Sequence, residues 1–470
     1  MRRTLIAVLC AASLTGTVAC SDFLSGPGLT TNPNQPSEAS ADQLFVGLQV
    51  GSYSRVETTI PLLIEVWSQH LAGASRQWVN LADYSYTETT DDAAFNNIYG
   101  GGGLIDVFKV KTATEASGNK KFLGIAQVYE ALLMGTATSW YGDIPYSEAV
   151  STVLTPKLDP QATVYARIQS VLDSAITNLS AGGAGPAAVD FAYGNSATKW
   201  TEAAHSLKAR YWLHQTRGPD SLANYVKARD EAALGISSRA NDWMTTHTSN
   251  TGEHNLMWEF LFQTRAGDIE PDSTLINMLK GNGILGAHSA QLLDVNFTKN
   301  SAGQFEGAPH DRTLGSASNF RISVTSPTPI LTYAETKSIL AETQYRTGQA
   351  AAALITLNAI RAAYGEAPVV LAGPALLQGI LEQKYVTNYL NTEVWSDYRR
   401  TCFPNLTLPR DKKRDYIPAR IYYGFTERIA NSNIPTTQAQ DQNPTVPAFP
   451  KNLTDPFGNP CIGQKDRPGT

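Results

Sequence analysis

The feature that most constrains this chain is a long apolar stretch, residues 122–141, that runs directly into a turn containing Gly and Pro. Its apolar side chains recur every three or four residues, which is the period of an α-helix. The face opposite to them is hardly polar either, since it carries Val128 and Met134. A helix that is apolar on nearly every side is buried, so the stretch predicts the central helix of the fold. Gly142 is expected to end it, and Pro145 to keep the following chain extended.

The turn after this helix resembles a motif of a known family. In SusD/RagB proteins, which are surface glycan-binding lipoproteins, a similar helix is followed by a run close to W-G-D-I-P-Y-S-E-A. Here Trp140, residues 142–146 and residues 147–149 match that run, and Tyr141 is inserted after the tryptophan. The match is long, but it is a structural signature and does not identify a ligand.

Several other stretches have the helical period and lengths that allow them to pair as hairpins. They lie at 41–70 (two helices), 105–116, 163–179, 198–217 and 225–234. A last pair, 333–347 and 350–364, breaks at Gly348 and has about the length of a tetratricopeptide unit, ~34 residues. Stacked helix pairs form solenoids. The sequence therefore predicts a mostly α fold with a tetratricopeptide-like helical-hairpin scaffold, and the resemblance implies the same.

A late helix and the run after it extend the resemblance over most of the chain. The family pattern is close to E-K-W/Y followed by E-x-W-x-D/E-x-R-R-T-G-x-P, and it corresponds here to Glu382, Lys384, Tyr385, Glu393, Trp395, Arg399 and Arg400. Cys402 stands where the family often has Gly, and residues 417–421 resemble its closing I-P-x-R run. Arg399 and Arg400 are expected to bond carboxylates or carbonyls within the fold in preference to a ligand.

The start of the chain predicts export and a lipid anchor. A basic head and an apolar run too short to span a membrane occupy residues 1–19, as in a signal peptide. Mostly small residues precede Cys20, which resembles a lipoprotein signal with Cys20 acylated. Ordinary cleavage after Ala19, which leaves a free thiol, is the alternative. Residues 20–40 are then expected to be a flexible tether and 41–470 a single domain. By resemblance, the lipid would hold the protein at the outer membrane, exposed at the cell surface.

Charge and cysteine number narrow the classes of function further. Loss of Arg2 and Arg3 with the leader changes the formal net charge from −5 to −7, which argues against nucleic-acid binding. Cys402 and Cys461 remain outside the leader and the anchor, an even number in an oxidising compartment. They form either a C-terminal disulfide or two separate buried thiols, and the sequence does not decide between these.

Residues 71–97 are the first candidate ligand-binding segment, because they are rich in aromatic and amide side chains and lack a clean period. The apolar C–H face of a pyranose packs on indole and phenol rings, while Arg, Asn, Asp and Gln bind its hydroxyls. The candidate residues are Arg76, Gln77, Trp78, Asn80, Asp83, Tyr84 and Tyr86. For any one ring, the alternative is that it anchors a long loop to the body of the protein.

A second candidate segment, about 235–329, is polar, broken and without a regular period. An irregular stretch of this length inside a compact protein is more often functional than idle. By resemblance it is the loop-rich subdomain that lies on the helical scaffold and helps to form the binding surface. Its Arg312 and Phe320 join the candidate residues. The tail, 431–470, is expected to be either an extended wrap over the body or a partly disordered end.

The sequence contains no motif that singles out a catalytic or metal site. H-E-x-x-H and G-x-S-x-G are both missing. The glycine run 100–103 lacks the Gly-Lys-Ser/Thr of a phosphate-binding loop, so it is expected to be a flexible joint. Residues 268–272 alternate carboxylates as a calcium loop does, but Ser273 and Leu279 replace the Gly and the Glu that such a loop requires. We therefore predict no metal, no cofactor and no catalytic residue.

The resemblance implies a non-catalytic lipoprotein that captures glycan or another small nutrient and delivers it to a SusC-like TonB-dependent transporter. Two other classes remain open from the residues alone. One is an exported glycan-active hydrolase, since any chain of this size contains plausible carboxylate pairs. The other is an α-solenoid assembly protein of the cell envelope, for which stacked helical hairpins would serve equally well.

Overall fold

The computed structural model describes residues 39–216, 221–309, 317–413 and 417–437. The predicted signal peptide, Cys20, Arg312 and Cys461 lie outside these residues. The α-helices are α1 (Ala41–Glu57), α2 (Thr59–Trp67), α3 (Gln77–Ala82), α4 (Asp92–Tyr99), α5 (Leu104–Ala116), α6 (Lys120–Tyr141), α7 (Gln161–Ala181), α8 (Ala197–His214), α9 (Ser221–Leu234), α10 (Leu256–Trp258), α11 (Ser273–Asn277), α12 (Ala290–Leu293), α13 (Tyr333–Arg346), α14 (Ala350–Ala363), α15 (Gly373–Thr387), α16 (Glu393–Thr401) and α17 (Phe425–Ala430). The strands are β1 (Leu71–Gly73), β2 (Trp243–Met244), β3 (Ile269–Pro271), β4 (Phe297–Thr298), β5 (Asn319–Phe320) and β6 (Pro329–Leu331). Within the described ranges, none of the helices combines the length and the apolar character needed to cross a membrane.

Helix α6 is the centre of the fold, as the sequence predicts. Asn119 caps its start by accepting a hydrogen bond from the backbone N–H of Phe122 at 3.3 Å. Gly142 ends it in a conformation with a φ of 83° that favours glycine. From 122 to 141 every residue except Thr136 is buried. The helix is therefore surrounded by protein along nearly its whole length.

Pairs of helices cover α6 and build the scaffold. Helix α6 packs on α5, α7 and α8, α8 packs on α9, and α13 packs on α9, α14 and α15. Where α8 meets α6, a Cβ added to Gly135 would lie 2.0 Å from Cζ of Tyr211, so only glycine allows this approach. The mostly α, hairpin-based fold predicted from the sequence is confirmed.

Buried ion pairs and hydrogen bonds fasten α16 to this scaffold. Arg400 of α16 donates to both carboxylate oxygens of Glu342 in α13, with an Nη2–Oε2 distance of 2.7 Å. Burial favours the neutral carboxyl, but the charge of Arg400 outweighs burial and lowers the pKa of Glu342 to about 2. Arg399 donates to the carbonyl oxygens of Ser139 and Ala419, at 2.9 and 2.8 Å. Both arginines therefore bond within the fold, as predicted.

Short antiparallel strand pairs hold the loop-rich part of the molecule. Strand β1 pairs with β3, β2 with β6 and β4 with β5. Two of the short helices there, α10 and α11, continue as π-helical turns, Glu259–Thr264 and Met278–Asn282. Such turns are rare and often lie at functional sites. The β1–β3 pair joins the first candidate segment to the second.

The second half of the glycine run at 100–103 is tightly packed, unlike the flexible joint expected from the sequence, whereas Gly100 and Gly101 are exposed. Gly102 has a φ of 73° and lies against α1, where a Cβ on Gly51 would be 2.4 Å from the Gly102 carbonyl oxygen. The Gly102 N–H donates to Asp106 at 2.6 Å, and its carbonyl accepts from Arg55 Nη2 at 2.6 Å. Glycine is required here for close approach and for a positive φ.

Cys402 lies at the end of α16 with a φ of 58° and is disulfide-bonded. The other cysteines of the chain all lie outside the described residues. Its pairing with Cys461 therefore stays a prediction.

Replacement of Arg400 by Met is expected to destabilise the protein strongly, because the buried Glu342 carboxylate loses its main partner. Removal of one member of a buried pair typically costs about 3–5 kcal/mol of unfolding free energy. Chemical denaturation measures this change. The control is Lys157→Met, which breaks an exposed 2.8 Å ion pair with Glu148 and is expected to leave the unfolding midpoint unchanged. Equal midpoints for the two variants would contradict the prediction.

Candidate functional site

Three of the aromatic candidates lie in the core. Trp78 belongs to α3, is fully buried and packs edge-on against Phe260, with ring centroids 5.6 Å apart. Tyr84 and Tyr86 are buried against Trp67, at centroid distances of 6.5 and 5.5 Å. In this structure the three rings anchor the segment to the body, which is the alternative that the sequence left open. A role in ligand binding for them stays a prediction that this placement does not favour.

The other candidates divide into exposed and buried side chains. Gln77 and Asn80 are exposed on α3, and the side chain of Arg76, just before it, is 57% exposed. Asp83 is buried next to the end of α3. Phe320 is buried in the β4–β5 pair, and its strand β5 contacts β3. The structure therefore brings Arg76, Gln77 and Asn80 together at the surface and places Phe320 in the interior.

The β1–β3 pair places these exposed side chains beside the second candidate segment. The N–H of Ala74 donates to the carbonyl oxygen of Asp268 at 2.8 Å. The buried Asp268 carboxylate accepts from Ser75 Oγ at 2.8 Å and forms an ion pair with Arg76. This carboxylate therefore holds the Arg76 side chain in place. In the part of the chain that the structure describes, no group of His, Cys, Asp or Glu is arranged to hold a metal ion.

Two aromatic rings that were not among the sequence-derived candidates face the solvent beside this joint. Trp258 and Phe262 stack with centroids 6.5 Å apart and an interplanar angle of 25°. Phe262 is 41% exposed and Trp258 is partly exposed, whereas Phe260 points inward onto Trp78. The spacing of four residues was an available signal, since it puts two side chains on one helical face. Residues 235–329 as a whole lack a regular period, and the sequence-derived candidates do not use this spacing.

Polar side chains flank the two stacked rings. His254 packs edge-on against Trp258 at 5.6 Å, and its Nδ1 lies 3.1 Å from Glu259 Oε1. Gln263 is exposed on the same turn. We refer to the following set as the aromatic surface: Arg76, Gln77, Asn80, His254, Trp258, Glu259, Phe262 and Gln263. Flat ring faces with hydrogen-bonding groups around them suit a ligand that has apolar faces and polar edges.

A buried carboxylate fixes the start of α10, the helix that carries Trp258, to the scaffold. Glu57, at the end of α1, accepts from the N–H of Leu256 at 3.0 Å, and His247 Nε2 lies 2.7 Å from its Oε1. Burial opposes protonation of His247, but the hydrogen bond and charge of Glu57 outweigh it and raise the pKa of His247. Asn255 donates to Glu57 at 3.3 Å and caps α10 by accepting from the N–H of Trp258 at 2.8 Å. The rings are thus held on a preorganised turn, which lowers the entropy cost of binding.

Residues 33–424 match the sequence profile of the SusD-like_2 family, which is described as "Starch-binding associating with outer membrane". Among curated proteins, no sequence is detectably similar to this chain.

Several solved structures have this fold. A SusD/RagB family protein from Bacteroides thetaiotaomicron is 20% identical, with a TM-score of 0.69 over 90% of this chain and 100% of that chain. A chitin-binding SusD homologue from Flavobacterium johnsoniae is 16% identical, with a TM-score of 0.69 over 90% of this chain and 100% of that chain. A SusD homologue from Bacteroides uniformis is 18% identical, with a TM-score of 0.67 over 90% and 99%. At these identities the structures show the fold alone. The profile match spans most of the chain and the helical fold agrees with it, so this protein belongs to the SusD/RagB family.

Proposed function

We propose that this protein is a non-catalytic, lipid-anchored protein of the outer membrane that binds glycan on the aromatic surface and delivers it to a TonB-dependent transporter. The observation that carries the proposal is the stacked and exposed pair of Trp258 and Phe262 on a fixed turn. Apolar surface in water is unfavourable by about 25 cal/mol per Å². The C–H faces of successive sugar units would cover these rings, and their hydroxyls would remain at the polar rim.

The polar rim supplies the hydrogen bonds that such a ligand needs. Gln77 and Asn80 each offer an amide donor and an amide acceptor, and Arg76 offers guanidinium donors held in place by Asp268. A glycosidase requires a pair of carboxyl groups on either side of the bond that it cleaves. The aromatic surface includes one exposed carboxylate, that of Glu259, while that of Asp268 is buried. These features favour binding without cleavage.

Delivery to the transporter would depend on the lipid anchor and the tether near the start of the chain. A lipid on Cys20 would hold the protein at the membrane, and the tether of residues 20–40 would let it move over a pore. Binding would then raise the local concentration of ligand at the transporter. The family description, with its starch binding and outer-membrane association, and the chitin-binding relative support this scheme. A SusC-like TonB-dependent transporter is the partner that the family resemblance implies.

Removal of both exposed rings, in the variant Trp258→Ala/Phe262→Ala, is expected to abolish glycan binding and leave thermal stability nearly unchanged. Native gels that contain soluble starch, glycol chitin or other polysaccharides measure this as loss of retardation. The control is Phe425→Ala, because Phe425 on α17 is 38% exposed, close to the 41% of Phe262. Wild type and control are expected to be retarded in at least one of the gels.

Three outcomes would overturn the proposed function. Unchanged retardation of the Trp258→Ala/Phe262→Ala variant would remove the aromatic surface from the binding site. Release of reducing ends from the polysaccharides by the wild-type protein would favour the hydrolase. Co-purification with envelope assembly factors, without a transporter and without glycan binding, would favour the assembly protein.

Trp78→Ala is expected to behave differently, although Trp78 lies just beneath the aromatic surface. A fully buried Trp replaced by Ala typically costs about 3–5 kcal/mol of stability through lost burial and the cavity left behind. Thermal unfolding followed by circular dichroism measures the loss. If the variant melts like wild type but loses glycan binding, Trp78 itself contacts the ligand and the buried placement is wrong.

Cys20→Ala is expected to move the protein from the membrane fraction to the soluble fraction, because acylation needs the Cys20 thiol. Each buried CH₂ of a lipid chain contributes about 0.8 kcal/mol to membrane binding. Fractionation of cells, followed by immunoblotting, measures the shift, and Ser25→Ala in the predicted tether serves as the control. An unchanged distribution for Cys20→Ala would contradict the lipid anchor.

A further inference from the structure

A deep pocket lies on the other side of α1 from the aromatic surface. It encloses about 410 Å³ between α1, α2, α4 and α6, within the size range of small-molecule sites. Arg55 lines this pocket, whereas Glu57 belongs to the network beneath the aromatic surface. Side chains two residues apart on a helix do not face each other. The pocket and the aromatic surface are therefore separate places on the molecule.

The pocket reaches the central helix. Thr136, the one residue of α6 from 122 to 141 that is not buried, lines it together with Leu133, Ala137 and Trp140. Protein interiors are close-packed, and a gap beside core atoms loses their dispersion contacts. The pocket therefore leaves part of the otherwise covered central helix accessible to a ligand.

The pocket is lined by one positively charged side chain, one negatively charged side chain, several neutral polar side chains and an apolar wall. Its main polar residues are Ser54, Arg55, Thr58, Thr59, Asp91 and Asn97. Ile60, Leu133 and Trp140 contribute apolar surface. An anion would meet the Asp91 carboxylate and a cation would meet the Arg55 guanidinium. A neutral polyol suits both, since each hydroxyl is at once a donor and an acceptor.

The two charged groups of the pocket are incompletely solvated. Arg55 is fixed by Nη2, which donates to the carbonyl oxygens of Asn97 and Gly102 at 2.8 and 2.6 Å. Its Nε and Nη1 are shielded from water and have no hydrogen-bond partner in the ranges that the structure describes. Burial lowers the pKa of Arg55 to about 10, although the charge of Asp106 opposes this, and burial raises the pKa of Asp91. Because Nε and Nη1 of Arg55 have almost no accessible surface, a ligand would contact the Asp91 side chain and the hydroxyl and amide groups of the lining instead.

We propose that this pocket binds a neutral saccharide of mono- to disaccharide size, either a free sugar or the end of a glycan chain. The aromatic surface would bind along the length of a glycan, and the pocket would bind its end. Trp140 would contribute apolar contact at the inner end, and Asp91, Asn97 and the hydroxyl groups would bind the sugar hydroxyls. This inference rests on the proposed function only for the chemical class of the ligand.

Two variants test the pocket without removing Arg55, whose bonds to backbone carbonyls support the fold. Ala94→Phe fills the space from a partly exposed position on α4. Asp91→Asn removes the charge but keeps a residue suited to the helix N-cap. Saturation-transfer NMR and calorimetry are run with glucose, galactose, mannose, xylose, N-acetylglucosamine and maltose. The wild type is expected to bind at least one of these sugars, and each variant to raise its Kd at least tenfold.

The aromatic-surface variant separates this inference from the proposed function. Trp258→Ala/Phe262→Ala is expected to keep small-sugar binding while it loses retardation by polysaccharide. Three outcomes would contradict the proposal that the pocket binds a sugar. They are failure of all six sugars to bind, unchanged binding by Ala94→Phe, and loss of small-sugar binding in Trp258→Ala/Phe262→Ala. Tighter binding of sodium glucuronate than of glucose would contradict the proposal that the ligand is neutral. If Ala94→Phe fails to fold by circular dichroism, Asp91→Asn decides alone.

Discussion

Helix α6 is stable only if protein covers every side of it, and most of the architecture follows from that requirement. Helices α5, α7 and α8 supply the cover, and the close approach of α8 depends on the missing side chain of Gly135. The remaining helix pairs extend this layer outward from α8. The loop-rich part is attached to the scaffold by apolar residues such as Trp243, by the strand pairs and by polar groups at the end of α1. The scaffold therefore positions the aromatic surface without forming it.

The regular part of the fold could be predicted because periodic burial leaves a periodic sequence. The apolar repeat of 122–141 and the pair at 333–364 correspond to α6, α13 and α14 within a few residues. The internal bonding of Arg399 and Arg400 was also foreseen, since guanidinium groups near a core usually need partners inside it. Gly102 and Gly103 were misjudged, because sequence cannot distinguish a glycine that allows a bend from one that lets two backbones touch.

The sequence could not tell which aromatic residues face the solvent, because aromatic rings serve both in protein cores and at binding surfaces. Trp78 and Trp258 are the same residue type in similarly irregular segments, yet one is fully buried and the other partly exposed. Which ring faces water depends on the β1–β3 pairing, a contact between residues about 200 positions apart that no local pattern encodes. Arg76, Gln77 and Asn80 lie at the surface, and a role for them in ligand binding stays a prediction.

The layering of rings at the aromatic surface has a consequence for how such proteins diverge. Trp78 supports the fold from below, whereas Trp258 and Phe262 contribute their outer faces mainly to whatever they hold. Substitution of Trp258 or Phe262 would change the preferred ligand of the proposed site at little cost in stability. Substitution of Trp78 would destabilise the fold. Under the proposed function, ligand preference could therefore change at two positions while the framework that carries them stays intact.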